Sequence, residues 1–421
     1  MTGQTGKTVT KMTEEKGTNA NKKKLMLMVP MLHQGGFERV CVETARIMQD
    51  VYDVTVLIFT DRDAHYDVSG LKVINIDLPA RDGRAAKALN LLRRTRKIKK
   101  IKRQLGIDVT YSFGSTANLA NAMSPAGDRI VTSMRSALDF DTPDRLRRVL
   151  DGSDLMISCS AQMERMLREQ FDFRKTALLY NPLDTEKIRT LSGEAVSDHP
   201  FPDASPLIVT MGRDDDAKGY WHLIRAFSAL RKHFPDARLM IIGGGEMHRE
   251  KMLINELQLT PFVCLTGVKK NPFSLLASAD LFVFPSNHEG FPNALVEAMA
   301  LGLPVIACDC VSGPREILLS EEECASVNER FREGTSVRDA VEGAHGLLIP
   351  NMDDTPDYSA QQITPDDMML CTMMRRMLES PEMLKEYGER AAKRAAFFSA
   401  EHYRETLADI LTSVTGKKEE A

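Results

Sequence analysis

Residues 286–297 read Ser286-Asn-His-Glu-Gly-Phe-Pro-Asn-Ala-Leu-Val-Glu297, which sets two carboxylates, Glu289 and Glu297, eight positions apart across the entry to a helix. Upstream, Ala279-Asp-Leu-Phe-Val-Phe-Pro285 has the composition of a short buried parallel strand that stops at proline. Downstream, Ala294-Leu-Val-Glu-Ala-Met-Ala-Leu301 is rich in strong helix formers and ends before Gly302 and Pro304. Strand, glycine-containing loop and helix, in that order, aim free backbone N–H groups at a phosphate from the carboxyl edge of an open α/β sheet. Glu289 then belongs to the loop, and Glu297 lies one to two turns inside the helix. A carboxylate accepts hydrogen bonds from paired hydroxyls, so two of them beside such a helix end suit the ribose and hexose of a sugar nucleotide.

On either side of this stretch the chain alternates strand and helix. Lys24-Leu-Met-Leu-Met-Val-Pro30 reads as the first buried strand, followed by the loop His33-Gln-Gly-Gly-Phe-Glu38 and an amphipathic helix to about Met48. Further strands are expected at 53–59, 72–76, 108–112 and 129–133. A second series, expected at 207–211, 238–242, 262–265, 281–284, 304–307 and 346–349, begins beyond the polar, proline-rich Ser197–Pro206. Two such series imply two parallel sheets covered on both faces, with a cleft where the strand ends meet. The expected boundaries are a disordered tail over 1–23, a first domain over 24–184 and a second over 185–385, with a closing helical segment over 386–421. The tail is Thr, Lys, Gly, Glu and Asn with almost no apolar content, and it lacks the apolar core of a secretory leader.

Met211-Gly-Arg-Asp-Asp-Asp-Ala-Lys-Gly219 follows one of these strands and carries Arg213 and Lys218. Departure of a nucleoside diphosphate concentrates negative charge on its distal phosphate. Fixed cations in a dry cleft stabilise that charge most in the transition state. Two more segments follow strands with glycines that permit close approach to a ligand: Gly243-Gly-Gly-Glu246, which contains Gly245, and Val263–Pro272, which contains Val268. The triplets Asp214–Asp216, Asp61–Asp63 and Asp139–Asp141 each match D-x-D, a pattern that arises easily in a chain with many acids. Arg213 and Lys218 would repel a cation at the first, so no metal ligand is assigned.

The E-x7-E spacing, written as HEGFPNALVEAMALGLPVIA, resembles the retaining glycosyltransferases of family 4. Supporting segments stand in the family's order from about Leu25 to about Arg404. The resemblance implies the GT-B fold: two Rossmann-like, doubly wound parallel-sheet domains facing a cleft, with the last helix crossing back to the first domain. It implies that Glu289 holds sugar hydroxyls, that Glu297 holds the ribose diol, and that Arg213 and Lys218 stabilise the departing diphosphate. Backbone N–H groups within the stretch Gly290, Phe291, Pro292 and Asn293, Pro292 itself having none, are expected to assist. By the same resemblance Gly35 and Gly36 approach the diphosphate or the acceptor, Gly245 borders the nucleotide, and Val268 meets the base. His33 and His288 flank the site and are given no catalytic role, because leaving phosphate can take the acceptor proton.

The chain has 421 residues and a net charge of −4, enough for two domains and without the basic field of a nucleic-acid-binding protein. Seven scattered cysteines argue against a disulfide framework and for a reducing cytoplasm. No apolar run approaches the ~20 residues that span a bilayer. Residues 91–105 form a basic amphipathic pattern in which Arg93–Arg103 surrounds Leu91, Leu92, Ile98, Ile101 and Leu105. Such a helix either lies on an anionic membrane at the inner face of the cell or turns a solvated basic face outward.

The sequence therefore predicts a metal-independent transferase with no cofactor. It would move a hexose or N-acetylhexosamine from a UDP-linked donor to a glycan or polyprenyl-linked glycan acceptor in cell-surface polysaccharide synthesis. The alternatives are a nucleotide-sugar epimerase or phosphorylase of the same fold, and a non-catalytic glycan-binding or assembly subunit. Residues 320–345 stay unassigned.

Overall fold

Apolar segments pair in register through the first half of the chain because the inner ones are buried on both faces by the helices between them, while the edge strands are only partly buried. The computed structural model describes residues 22–33, 35–62, 64–196, 198–331 and 335–416; the expected tail lies almost wholly outside them. The first half runs β1 (Lys24–Val29), α1 (Gly36–Met48), β2 (Asp53–Ile58), β3 (Lys72–Asn75), α2 (Arg84–Leu105), β4 (Val109–Ser112), α3 (Ser115–Ala122), β5 (Arg129–Met134), α4 (Pro143–Asp151), β6 (Leu155–Ser158), α5 (Ala161–Phe171) and β7 (Thr176–Leu178). Its sheet is wholly parallel, in the order β3-β2-β1-β4-β5-β6-β7.

After α6 (Thr185–Ser192) the second half runs β8 (Leu207–Met211), α7 (Tyr220–Leu230), β9 (Arg238–Ile242), α8 (His248–Glu256), β10 (Val263–Leu265), α9 (Phe273–Leu276), β11 (Leu281–Phe284), α10 (Asn293–Ala300), β12 (Val305–Cys308), α11 (Pro314–Leu318), α12 (Glu321–Arg330), β13 (Val341–Glu342) and β14 (Leu347–Ile349). Its order is β10-β9-β8-β11-β12-β14-β13, with β13 alone antiparallel to its neighbour. The direction of winding reverses between β1 and β4 in one sheet and between β8 and β11 in the other. The loops leaving β1, β8 and β11 therefore flank the two crevices in which doubly wound sheets bind ligands.

Three helices close the chain: α13 (Pro365–Leu378), α14 (Pro381–Ala395) and α15 (Ala400–Thr415). Helix α14 approaches the Gly302 turn so closely that a Cβ at Gly388 would lie 2.4 Å from Gly302 O. Helix α15 returns to the first sheet, where Tyr403, Leu407 and Leu411 join the core of β1 and α1 and the Tyr403 hydroxyl lies 2.7 Å from Thr44 Oγ1.

Strands β6, β7 and β13 are absent from the sequence reading; β7 and β13, three and two residues long and only partly buried, offer no apolar run. Within the unassigned 320–345, Ser320 and Glu323 form a reciprocal capping box that starts α12. The basic helix begins at Arg84, seven residues earlier than expected, and it packs Ile98, Leu91, Ile101 and Leu105 onto the sheet. Two of its cations, Arg94 and Lys102, are buried rather than on a basic outer face.

Candidate functional site

The loops that leave β8, β9 and β10 lock together backbone to backbone. Gly212 N–H donates to Ile242 O at 2.9 Å, Asp214 N–H to Gly244 O at 2.7 Å, and Gly243 N–H to Gly267 O at 3.2 Å. A Cβ at Gly243 would lie 1.6 Å from Gly212 O, and one at Gly245 would lie 1.9 Å from Asp214 Cβ. Both glycines also have positive φ, so no side chain fits at either. Val268 is exposed at this edge, resting on Gly244. The fixed loops present Arg213 and Lys218 toward the crevice.

Lys218 Nζ donates to Glu289 Oε1 at 2.6 Å, joining the loops after β8 and β11, and the two side chains keep 19% and 12% exposure. The Lys218 ammonium also sits 5.7 Å from the centre of the Phe284 ring. Gly219, left-handed at the start of α7, passes so close to Pro285 that a Cβ would lie 2.4 Å from its carbonyl oxygen. Arg213 is exposed, 3.2 Å from Asp215, and its charge reaches Glu38 of the first domain. The three acids of the D-x-D match have protein partners. Asp214 Oδ2 accepts from Met247 N–H at 2.7 Å, Asp215 Oδ1 from Ala217 N–H at 3.1 Å, and Asp216 pairs with Arg249 and accepts from the Tyr358 hydroxyl at 3.2 Å.

The loop after β11 runs directly against the first domain. A Cβ at Gly290 would lie 2.0 Å from Arg135 O. Ser312 Oγ fixes the loop from the other side, donating to Glu289 O at 2.8 Å or Gly290 O at 2.9 Å. The Phe291 ring is turned away from the crevice, into a cluster with Tyr180 at 5.7 Å and Phe398 at 5.5 Å. What Phe291 can offer a ligand is therefore backbone. Pro292 has no N–H to offer, and Asn293 N–H is already given to Phe291 O at 3.0 Å, so the expected row of donors from 290 to 293 is corrected to a shorter one.

Helices α1 and α10 meet across the domain junction. A Cβ at Gly36 would lie 3.7 Å from Asn293 Nδ2, Asn181 Nδ2 donates to Asn293 Oδ1 at 3.0 Å, and Arg135 Nη1 donates to Asn181 Oδ1 at 2.5 Å. One turn further along both helices, Arg39 Nη1 lies 2.6 Å from Glu297 Oε1, and the Glu297 side chain is only 5% exposed. The carboxylate beside it holds the Arg39 guanidinium well above its ordinary pKa. Nearby Glu43 is pushed up to about 7 by burial, against the Arg39 charge. The residue read from sequence as an open ribose site is thus occupied by an arginine of the opposite domain. A cavity of about 140 Å³ beside the 286–291 loop is lined in part by Asp309 and Arg315, which pair with each other.

The structure therefore brings Lys218, Glu289, Gly290, Asn293 and Glu297 to one wall of the crevice and Gly35 and Gly36 to the facing wall. Glu38, Arg39, Arg135 and Asn181 went unnoticed as cleft residues in the sequence. For Arg39 the signal was present: three residues after Gly36 on a helix is the same face.

The family described as Glycosyl transferases group 1 matches residues 193–338, and Glycosyltransferase Family 4 matches residues 34–187. A Campylobacter jejuni relative, the N-acetylgalactosamine-N,N'-diacetylbacillosaminyl-diphospho-undecaprenol 4-alpha-N-acetylgalactosaminyltransferase, is 29% identical over 317 residues, or 71% of this chain and 84% of that protein. An uncharacterised glycosyltransferase of Methanocaldococcus jannaschii is 32% identical over 262 residues, a match that spans 59% of this chain and 61% of that relative. Among solved structures, a glycosyltransferase from Rickettsia africae superposes with TM-score 0.71 at 16% identity, covering 94% of this chain and all of that one. Anabaena HepE in complex with UDP superposes with TM-score 0.68 at 18% identity, covering 93% and 100%. At these identities the structural likeness is one of fold.

Proposed function

The chain belongs to the group 1 glycosyltransferases and has their GT-B fold, and from that premise we propose that it transfers a hexose or N-acetylhexosamine from a UDP-sugar to a glycan or lipid-linked glycan hydroxyl. The proposal includes retention of anomeric configuration and a site that uses fixed cations in place of a metal ion. The contact between Lys218 and Glu289 across the switch point carries this reading. It sets an ammonium and a carboxylate side by side where an anomeric phosphate ester must break.

In this reading Lys218 and Arg213 take the charge that builds on the diphosphate oxygens as the glycosidic C–O bond lengthens. The short row of N–H groups at the start of α10 adds to it. When phosphate arrives, Lys218 exchanges its bond to Glu289 for one to phosphate, and the freed carboxylate accepts sugar hydroxyls beside the oxocarbenium-like centre. Glu297 accepts the ribose diol once Arg39 withdraws from it, so donor binding includes a shift of α1 relative to α10. Cleft closure then excludes water, whose attack would hydrolyse the donor.

The named acceptor of the Campylobacter jejuni relative is a diphospho-undecaprenol, and a lipid-linked acceptor would place this chain at the inner face of the cell membrane. No described helix is long and apolar enough to cross a membrane. Helix α2 exposes Leu89 and Leu92 together with Arg93, Arg96, Lys100 and Arg103, a surface suited to anionic headgroups.

The test is incubation of the purified protein with a panel of nucleotide sugars, following nucleotide release. Slow hydrolysis of one UDP-sugar, accelerated by a glycan acceptor, is expected. Interconversion of the donor with no acceptor present would favour the epimerase reading, and no release from any donor, with no UDP binding, would favour the non-catalytic subunit.

A further inference from the structure

Glu38 is the third residue of α1, and its carboxylate is 1% exposed, yet among the described residues neither oxygen meets a hydrogen-bond donor from another residue. It is lodged beneath the glycine loop: a Cβ at Gly35 would lie 2.1 Å from Glu38 Oε2, so any other residue there would collide with it. His33 Nδ1 stands 3.0 Å from Oε1 without hydrogen-bonding geometry. An acid at this position in a helix commonly folds back to cap the first free N–H. Gly35 N–H is instead given to the Tyr66 hydroxyl at 3.3 Å, so that duty is taken. A buried carboxylate without donors costs stability, and such groups persist where a ligand supplies what the protein withholds.

The opposite wall identifies the ligand. A Cβ at Gly36, two residues before Glu38, would lie 3.7 Å from Asn293 Nδ2, and the same wall carries the Lys218–Glu289 pair, so whatever lies between the walls meets a cation on one side and can offer hydroxyl donors on the other. A sugar esterified to a diphosphate has that pattern. We propose that Glu38 binds hydroxyl groups of a pyranose substrate from the first-domain wall, opposite Glu289 on the second. This rests on the glycosyltransferase reading and adds a specificity-determining residue to it. The pyranose is either the hexose of the donor or the terminal sugar of the acceptor.

Glu38→Gln keeps the shape and removes the charge. It is expected to lower kcat/KM about 10- to 100-fold, the loss of one charged hydrogen bond. Its Tm should hold or rise, because a lone buried charge has gone. A rise in donor KM measured by hydrolysis without acceptor assigns the hydroxyls to the donor; a rise in acceptor KM alone assigns them to the acceptor. Burial pushes the Glu38 pKa up to about 7, against its own N–H and the Arg213 charge. The ionised form accepts hydroxyls, so wild-type kcat/KM should fall as pH drops through about 7, and the variant should lose that limb. His33, Tyr66, Cys41, Arg39 and Arg213 are the titratable or charged groups around it, and all remain in the variant.

Unchanged KM and kcat in Glu38→Gln, or an activity loss that follows a fall in Tm, overturns the proposal while wild-type turnover leaves the transferase reading standing. Should the wild type turn over no donor, calorimetric titration with UDP and with UDP-glucose still decides. Loss in the variant of the extra affinity conferred by glucose supports Glu38 as a donor contact; if both proteins bind the two ligands alike, titration with a glycan acceptor decides, and equal affinities there as well overturn the proposal.

Discussion

Lys102 and Lys218 each meet a carboxylate at salt-bridge distance, 2.9 Å to Asp128 and 2.6 Å to Glu289, and the surroundings of the two pairs differ completely. The first pair is wholly enclosed behind the first sheet. Asn121 Oδ1 accepts from the ammonium at 2.7 Å, Thr110 Oγ1 donates to Asp128 Oδ2 at 2.6 Å, and Ala126 N–H donates to Asp128 Oδ1 at 3.0 Å. Burial still holds the Lys102 pKa below its ordinary value despite Asp128. The second pair stands at the crevice and keeps 19% and 12% exposure, so solvent and a ligand can reach it. A closed and fully bonded pair fixes structure, whereas an open pair with few other partners is poised for chemistry.

The largest effect expected from that difference is on turnover. Lys218→Ala should reduce kcat about 100- to 1000-fold with an unaltered urea midpoint, the cost of losing one preorganised donor to developing charge. Near-normal rates would remove the distinction between the pairs. Lys102→Ala should instead leave kcat of the folded enzyme unchanged and cost about 3–5 kcal/mol of unfolding free energy, because Asp128 stays buried without its cation. Replacing both partners, as Lys102→Met with Asp128→Leu, should recover most of that loss in the same urea titration. The pair between domains is intermediate and has the smallest expected effect. Arg39→Ala releases Glu297 from its cross-cleft partner and should tighten UDP binding about 2- to 5-fold by calorimetry, the strength of a partly exposed ion pair. Unchanged or weaker binding would show that Arg39 does not gate the site.

The two lysines also separate what was legible in the chain. Lys218 sits between glycines in a loop after a clean strand, and its place before Glu289 was enough to assign it to the cleft. Lys102 stands in a run of cations at 93–103, and nothing local separates it from Arg103, which is exposed. Its burial depends on Asp128 and Asn121, which the sheet delivers from elsewhere. Phe291 shows what the motif could not say about a side chain. The expected contribution is its backbone N–H, and its ring is taken by an aromatic cluster with Tyr180 and Phe398, residues far away in sequence.

The sequence alone determined the alternation of strand and helix, the division into two sheets, and the loops that carry Arg213, Lys218 and Glu289, because periodicity and glycine placement are local properties of a chain. Tertiary structure alone decided that Arg39 closes on Glu297, that Glu38 lies under Gly35 facing Arg213, and that Lys102 is buried. The first two depend on how two separately wound sheets come to face one another, and the third on how α2 packs against α3 and the loop before β5 within the first domain; burial and charge pairing exist only once those surfaces meet.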